Sequence, residues 1–132
     1  MKKLEYRGYD SAGICVSDGK SLNLFKKKGK ISDFEGEIES QRFSGNLGIA
    51  HTRWATHGGV TEENAHPHTD CTGKFALVHN GIIENYREIK KKLGSSHVFS
   101  SETDSEILVH LIESFYKGDL KRAVLQALRR VR

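Results

Sequence analysis

The sequence has little proline, little cysteine and no long apolar run. One proline and 13 glycines in 132 residues exclude a collagen-like or low-complexity chain. The two cysteines, Cys15 and Cys71, lie far apart and form no CxxC pair. They are typical of free thiols in a reducing compartment, so we expect a cytoplasmic protein. No apolar segment is long enough to cross a bilayer and no signal-peptide pattern is present, so we expect no membrane partner.

Positive charge is in modest excess and unevenly distributed. The net charge is +4, with basic runs at 26–30, 90–92 and 121–132. Nucleic-acid binding would favour aromatic residues interleaved with such runs for base stacking, and none are present. We therefore interpret the runs as solvated faces and expect no nucleic-acid partner.

Hydrophobic periodicity predicts an α+β domain with strands first and helices last. An Asp-Gly turn signal between alternating apolar residues indicates a β-hairpin of 12–17 and 21–28. Ser32 and Glu35 match a capping box for a helix over 33–41. The remaining predicted elements are strands at 45–53, 74–81 and 97–101, a long polar loop at 55–73, and helices at 82–94, 104–116 and 120–132.

The stretch HTRWATHGG, residues 51–59, has the composition of a ligand site. Arg53 offers a bidentate fork for a carboxylate, and Trp54 offers a flat apolar wall with one N–H donor. Thr56 and His57 add small polar contacts. A buried strand end with an aromatic anchor is the structural alternative, but this mixture favours a ligand site.

Two further segments supply complementary groups. Asn80 and Gly81 follow a predicted strand, and a side-chain amide beside a backbone N–H can form an oxyanion hole, although turn formation alone would also explain them. Asp104, at a strand-to-helix junction, can hold an ammonium group. Together with Arg53, these residues imply an α-amino acid with a reacting side-chain carbonyl, and glutamine fits that description. Sequence identifies no nucleophile with a partner base.

Two other constellations compete with this interpretation. His66, His68 and Cys71, with His57 as a fourth ligand, could bind a metal, but the spacing matches no standard zinc pattern. Glu102, Asp104 and Glu106 could perform acid–base chemistry. Capping of the following helix by Thr103 or Asp104, with acids in its first turn, is the better explanation of these carboxylates.

Five motifs in this order resemble the glutaminase domain of the glutamine–fructose-6-phosphate aminotransferases, a family of class II glutamine amidotransferases. They are LEYRGYDSAG (4–13), GIAHTRWATHG (48–58), NAHPH (64–68), VHNGIIENY (78–86) and SETDSE (101–106). The resemblance implies an N-terminal-nucleophile hydrolase fold, a four-layer αββα sandwich. It also implies glutamine hydrolysis that supplies ammonia to fructose 6-phosphate, giving glucosamine 6-phosphate for hexosamine synthesis. No cofactor and no metal are implied.

The resemblance assigns roles residue by residue. Arg53 matches the residue that binds the α-carboxylate of glutamine, Asp104 the residue that binds its α-ammonium, and Asn80 with Gly81 the oxyanion pair. The other matched positions are Trp54, Thr56 and His57 in the glutamine pocket, His66 in coupling to the sugar domain, and Arg7 near the nucleophile.

The family's nucleophile is an N-terminal cysteine whose own α-amino group acts as the base. This sequence has Met1 there and enters the family pattern late, so we expect residues 1–132 to be a partial glutaminase domain. The first strand and helix, the C-terminal part and the sugar-isomerase domains would be missing, and we predict no turnover for the chain as written. In the full-length enzyme we expect a homodimer. The alternatives are a non-catalytic glutamine-binding or pairing fragment, or another class II amidotransferase such as amidophosphoribosyltransferase.

Overall fold

The structure, a computed structural model, describes residues 2–55 and 58–132, without the side chains of Lys2, Leu4 and Arg7. A 3-10 helix, Lys2–Arg7, comes first, and a second one, Gly94–Ser96, follows α2. The strands are β1 Ser11–Ser17, β2 Leu22–Lys28, β3 Leu47–Arg53, β4 His68–Thr69 and β5 Ala76–Leu77. The helices are α1 Ile31–Ser40, α2 Tyr86–Leu93, α3 Asp104–Phe115 and α4 Leu120–Leu128. Within these ranges no helix combines the length and apolarity that crossing a bilayer requires.

The first three strands form an antiparallel sheet in the order β2-β1-β3. Asp18 Oδ1 accepts hydrogen bonds from Lys20 N (2.8 Å) and Ser21 N (2.7 Å), and Gly19 takes a φ of 88° between them. These bonds fix the β1–β2 turn locally, which confirms the predicted hairpin. The pairing of β1 with β3 sets Ser11 opposite Arg53 and so defines where β3 ends.

The two faces of this sheet meet different partners. On one face, Ala12 and Phe25 pack against Ile31 and Phe34 of α1. On the other face, β1 approaches the β4–β5 pair so closely that a Cβ on Gly13 would overlap the carbonyl oxygen of His66. Glycine at this position therefore permits the two sheets to stack.

The β4–β5 pair is covered in turn by α3, which contacts α2 and α4 on its far side. Because α3 lies between a sheet and two helices, every residue from Asp104 to Ile112 is buried. The principal core is built from Ile83, Ile89, Leu93, Ile107, Leu108, Leu111, Ile112, Ala123 and Ala127. The layer order is thus α1, the three-stranded sheet, β4–β5, and the α2–α4 helices.

Two predicted strands differ from the structure because side chains capture their backbone N–H groups. In 74–81 only Ala76–Leu77 is strand, and His79 N donates to His66 Nδ1 (3.4 Å). The prediction of a strand at 97–101 is wrong, since Ser100 N and Ser101 N each donate to the Glu106 carboxylate at 2.7 Å. The helix predicted at 82–94 is also shorter in the structure, where α2 spans Tyr86–Leu93. Ile83 N donates to Asp104 Oδ2 (2.6 Å), so the chain before α2 is held by a side chain instead of by helical hydrogen bonds.

Two helix boundaries also differ. The helix predicted at 33–41 begins at Ile31, whose N–H donates to Glu5 Oε1 (2.8 Å), while Asp33 Oδ2 accepts from Lys30 N (3.1 Å) in place of the predicted Ser32–Glu35 box. The helix predicted at 120–132 ends at Leu128. Asn85 draws the following residues away from the helix axis, because its Nδ2 donates to Arg130 O (2.8 Å) and its Oδ1 accepts from Arg132 N (2.9 Å).

Candidate active site

A cleft of about 820 Å³ opens where β3, the 78–82 segment and the N-terminus of α3 meet. It brings together six of the predicted site residues, which are far apart in sequence. They are Arg53, Trp54, His66, Asn80, Gly81 and Asp104. The cleft therefore has the position and composition that the sequence predicts for a ligand site.

Arg53 is the last residue of β3 and is buried in the cleft wall. Its Nη1 donates to Gly59 O (3.0 Å), which ties the guanidinium to the loop that follows the strand. Burial lowers the pKa of the guanidinium, and the nearby carboxylates of Asp10 and Asp104 oppose that shift. The strand thus holds a desolvated cation with a planar donor fork, the group that suits a carboxylate.

Asp104 is the first residue of α3 and is 3% exposed. Its Oδ2 accepts a hydrogen bond from Ile83 N at 2.6 Å, and the helix N-terminus favours its negative charge. Thr103, the residue before it, caps the helix by accepting from Glu106 N (3.2 Å). Asp104 is therefore not needed as the cap, and its carboxylate is placed at the cleft.

Asn80 is oriented by a residue that the sequence analysis did not single out. His51 Nε2 donates to Asn80 Oδ1 at 2.9 Å. This contact engages the carbonyl end of the amide, so the NH₂ end is the one oriented for donation to a ligand. His51 and Arg53 lie two positions apart on β3 and so share one face of the strand, a spacing that sequence alone could have used to find His51.

Gly81 completes the same segment with a backbone that other residues rarely adopt. Its φ is 154°, and a Cβ here would lie 3.0 Å from His79 Nε2. His79 cannot easily move away, because its Nδ1 is 3.1 Å from Ser105 Oγ on α3. Glycine is thus required for this segment to present its backbone beside the Asn80 amide.

Three histidine rings lie against one another at the cleft, where His66 stacks on His51 and meets His68 edge-on. The ring of His66 lies 4.5 Å from that of His51 and 4.6 Å from that of His68. Burial, with repulsion from nearby cationic groups, lowers the pKa of His66 to about 2 and that of His68 to about 3, so both rings are neutral at pH 7. His68 Nε2 is 2.9 Å from Thr103 Oγ1, whereas Cys71 Sγ lies beside His97. The structure thus does not bring Cys71 to the two histidines with which the sequence grouped it.

Asn64 and Glu102 anchor the loop that follows Arg53. Asn64 Nδ2 donates to Gly59 O (3.0 Å) and to Glu102 Oε2 (3.2 Å), and Asn64 Oδ1 accepts from Glu102 N (2.9 Å). Gly59 O therefore bridges Arg53 and Asn64. This places Asn64 of the NAHPH motif and Glu102 of the SETDSE motif in the support of the arginine rather than in contact with a ligand.

The N-terminal motif supports the same arginine from the other side. Gly8 packs against the backbone of β3, where a Cβ would lie 2.7 Å from Arg53 C. Asp10 N donates to Arg53 O (3.1 Å), and Asp10 Oδ2 accepts from Ala55 N (2.7 Å). Glycine and aspartate at these two positions thus fix the backbone on which Arg53 stands.

Trp54 lies at the rim of the cleft. It is 59% exposed and packs beside Tyr9 with ring centroids 5.7 Å apart. The tryptophan therefore offers an apolar surface to an incoming molecule without enclosing it. The predicted roles of Thr56 and His57, and of the Arg7 side chain, fall outside the described residues.

The arrangement can bind a small zwitterion and polarise a carbonyl group. Arg53 offers positive charge, Asp104 negative charge, and Asn80 with Gly81 neutral donors, all at one cleft. Among the described residues that line this cleft there is no cysteine. The cleft thus presents groups of the kind that bind an amino acid and stabilise an oxyanion.

Comparison with known proteins shows extensive similarity. Residues 21–124 match a family described as a glutamine amidotransferase domain. The whole chain is 53% identical to a glutamine–fructose-6-phosphate aminotransferase (isomerizing) of Methanothermobacter thermautotrophicus and 52% identical to one of Thermus thermophilus. It spans 23% and 22% of the length of these two relatives.

Solved structures show the same similarity at the level of the fold. The glutamine phosphoribosylpyrophosphate amidotransferase of B. subtilis, complexed with ADP and GMP, superimposes with a TM-score of 0.80 at 32% identity over 98% of this chain and 28% of its own. A second structure, described as an allosteric regulatory enzyme of purine biosynthesis, gives a TM-score of 0.82 at 32% identity, over 98% of this chain and 29% of its own.

Proposed function

The chain belongs to the glutamine amidotransferase domain family, and we propose that residues 1–132 are a partial glutaminase domain whose cleft binds L-glutamine. The convergence of Arg53, Asp104 and the Asn80–Gly81 pair on one cleft is the observation that carries this proposal. A free amino acid presents a carboxylate and an ammonium group, and glutamine adds a side-chain amide carbonyl. These three groups complement the three parts of the cleft.

Sequence similarity distinguishes two classes of amidotransferase. Identity is 52–53% to the fructose-6-phosphate aminotransferases over the whole chain, against 32% to the solved phosphoribosylpyrophosphate amidotransferase. The predicted resemblance to the first group is thus confirmed. The structural likeness, together with the observed layer order, confirms the predicted α+β fold of the N-terminal-nucleophile type.

The reaction that we propose begins with attack of a thiolate on the side-chain carbonyl carbon of glutamine. The carbonyl oxygen becomes an oxyanion, which the Asn80 amide and the Gly81 N–H stabilise. The base that took the thiol proton returns it to the leaving nitrogen, so that the C–N bond breaks and ammonia departs, and water then hydrolyses the thioester to glutamate and the free thiol. We propose that an N-terminal cysteine of the kind found in the resembling family supplies the thiolate, so residues 1–132 by themselves bind glutamine without turnover.

The activity of the whole protein is part of the same proposal. Ammonia would pass to fructose 6-phosphate and give glucosamine 6-phosphate, with His66 as a coupling residue beside the oxyanion segment, since its Nδ1 accepts from His79 N. The proposed substrate and reaction come from the names of the relatives. The proposed homodimeric assembly comes from the family resemblance alone. Free thiols at Cys15 and Cys71 support a cytoplasmic location.

Calorimetric titration with L-glutamine tests the binding proposal. We expect Asp104→Asn to weaken binding about 10- to 100-fold, because a charge-assisted contact to the ammonium contributes about 1.5–3 kcal/mol. The isosteric asparagine can still accept from Ile83 N, so α3 should keep its place. Asp119→Asn, at the N-cap of α4, is the matched control and should leave affinity unchanged.

An analogue of glutamine that lacks the α-amino group separates ligand contact from misfolding. It should bind the parent protein weakly, and Asp104→Asn should weaken its binding no further. Equal losses for glutamine and for the analogue in this variant would contradict the assigned role of Asp104.

A non-catalytic glutamine-binding module is the second candidate function. It is favoured by one observation, namely that the charged and oxyanion groups of the cleft are in place although no described lining residue is a cysteine. Ammonia release by the natural gene product in the presence of glutamine would exclude this candidate. Stoichiometric binding without release would support it.

A further inference from the structure

A second cluster of reactive side chains lies outside the cleft, at the opposite end of β4 and along α3. Cys71 follows β4 in the turn toward β5, and His97 follows the 3-10 helix Gly94–Ser96. His110 and Glu113 are three residues apart on α3 and so share one face of that helix. One ligand atom from each of these four residues falls within 4.8 Å of every other.

The separations within this cluster are short and nearly uniform. Cys71 Sγ lies 3.4 Å from His110 Nδ1 and 3.7 Å from His97 Nδ1. The two Nδ1 atoms are 3.3 Å apart. Glu113 Oε2 lies 3.3 Å from the Nδ1 of His97 and 3.5 Å from that of His110. These are five of the six separations, and the sixth, between the ligand atoms of Cys71 and Glu113, is within 4.8 Å. The four atoms therefore lie close enough together to surround one cation.

A tetrahedral zinc ion has this size. Zn–N and Zn–O bonds of roughly 2.0–2.2 Å with a Zn–S bond of roughly 2.3 Å place nitrogen and oxygen ligands about 3.3–3.5 Å apart and sulfur about 3.6 Å from each. The observed edges, 3.3 to 3.7 Å, agree with those values. A thiolate, two imidazoles and a carboxylate form a donor set that suits Zn²⁺ rather than Mg²⁺ or Ca²⁺, which prefer oxygen ligands.

Direct hydrogen bonding explains the cluster less well. A proton on either imidazole can bridge the two Nδ1 atoms, which lie 3.3 Å apart, but it accounts for that one contact only. A single cation at the centre satisfies all four donors at once. The backbone also orients the sulfur, because Val98 N donates to Cys71 Sγ (3.4 Å).

The far side of His110 is also arranged as in metal sites. His110 is 1% exposed, and its Nε2 has no hydrogen-bond partner within the described residues. The Glu106 carboxylate lies 3.9 Å from that nitrogen. This distance is longer than a hydrogen bond, but a proton on Nε2 would face the carboxylate and leave the Nδ1 lone pair free for a metal ion, in the manner of the outer contact of a metal-bound histidine.

We propose that Cys71, His97, His110 and Glu113 bind one Zn²⁺ ion in a structural site. The ion would join the β4–β5 turn, the segment before α3 and α3 itself, which carries Asp104 at its other end. Cys71 is exposed, whereas the His97 side chain is 12% and the His110 side chain 2% exposed, so metal enters from the cysteine side. The site is separate from the proposed glutamine cleft.

Titration of the tag-free natural protein, stripped with a chelator, with Co²⁺ and Zn²⁺ tests the proposal. We expect one equivalent of Co²⁺ to produce the visible bands of a tetrahedral ion together with a thiolate-to-metal charge-transfer band, and Zn²⁺ to displace it. Cys71→Ser should abolish the charge-transfer band and weaken Zn²⁺ binding at least about tenfold. Cys15→Ala, which removes the buried thiol of β1, is the matched control and should retain both.

A zinc K-edge absorption spectrum of the parent protein makes the test independent of any variant. One sulfur ligand at about 2.3 Å and three nitrogen or oxygen ligands at about 2.0–2.2 Å would support the site. A Co²⁺ charge-transfer band that survives in Cys71→Ser, a spectrum with only nitrogen and oxygen ligands, or no stoichiometric binding would overturn it.

Discussion

Replacement of Glu106 by glutamine offers the sharpest test of how the N-terminus of α3 is held. The Glu106 carboxylate is 1% exposed and accepts hydrogen bonds from Ser100 N, Ser100 Oγ, Ser101 N and Ser101 Oγ at 2.6 to 2.8 Å. The new glutamine side chain keeps an oxygen that accepts hydrogen bonds from one serine. Its NH₂ group then faces the backbone N–H of the other serine, which loses its acceptor. A buried donor left unpaired costs about 1–3 kcal/mol, and a neutral acceptor makes weaker bonds than a charged one. We expect the free energy of unfolding to fall by about 2–4 kcal/mol.

The same substitution should change how stability depends on pH. Burial disfavours the charged form of Glu106, but the neighbouring His110 imidazole and hydrogen bonds from Ser100 and Ser101 outweigh it and hold the pKa well below its usual range. A depressed folded-state pKa contributes stability that is present above the unfolded pKa of about 4.3 and is lost as pH falls toward the folded value. The difference between parent and variant should therefore be largest near pH 7 and should shrink progressively below about pH 4.

Denaturant unfolding of the 132-residue chain at several pH values, in the presence of a chelator, measures both effects. Glu37→Gln is the matched control, because Glu37 pairs with Lys27 at the surface, where their side chains are 52% and 35% exposed. An exposed ion pair contributes about 0–1 kcal/mol, so this variant should stay close to the parent. A loss below about 1 kcal/mol in Glu106→Gln, or an equal loss at pH 7 and pH 3, would refute the reasoning.

Two further predictions concern the cleft. Gly81→Ala should lower the free energy of unfolding by about 1–3 kcal/mol and weaken glutamine binding, because its φ is 154° and the new Cβ would meet His79. Gly36→Ala in α1 is the control, because a Cβ there meets nothing within 4 Å, and it should be neutral or stabilise the protein by up to about 1 kcal/mol. Equal effects of Gly81→Ala and Gly36→Ala on the free energy of unfolding would contradict this explanation. His66 and His68 are neutral in the folded state, with pKa values lowered to about 2 and about 3, whereas unfolded histidine titrates near 6.5. The free energy of unfolding should hence fall by about 2–3 kcal/mol per pH unit as pH decreases from 6 to 5. A fall of less than about 1.4 kcal/mol per pH unit, the value for uptake of one proton, would show that these rings are not buried in the neutral form.

The cleft residues could be predicted because each one follows from its own chemistry. Arg53, Asp104 and the Asn80–Gly81 pair each have a structural explanation, but together they offer the groups that an amino acid with a side-chain carbonyl requires. The sequence did not reveal His51, because its role depends on a 2.9 Å contact with Asn80 across the fold. Whether a histidine can contact a ligand or orients another side chain depends on which residues lie beside it in the folded protein.

Errors in the predicted elements have a common cause. The β1–β2 hairpin was predicted well, since its turn is fixed by hydrogen bonds between Asp18 and residues at most three positions away. The strand predicted at 97–101 failed because Ser100 and Ser101 donate to Glu106 instead of a neighbouring strand. Alternating apolar residues report a preference of the backbone, but they do not show where its N–H groups find acceptors.

Grouping of metal ligands failed for a similar reason. Sequence proximity associated Cys71 with His66 and His68, only a few residues away. Successive side chains of an extended segment diverge, and the short strand β4 separates these groups further. Cys71 instead meets His97 and His110, which lie 26 and 39 residues later in the chain.

The sequence by itself determined the local features of this protein: the hairpin, the caps of α3 and α4 at Thr103 and Asp119, and the types of group available to a ligand. Each depends on residues within a few positions of one another, so the chain alone specifies them. Only the tertiary structure decided which distant groups meet, as in the bond from His51 to Asn80 and the cluster at Cys71. Hydrogen bonds and ligand geometry act over about 3 Å, and only folding brings residues this far apart in sequence to such distances.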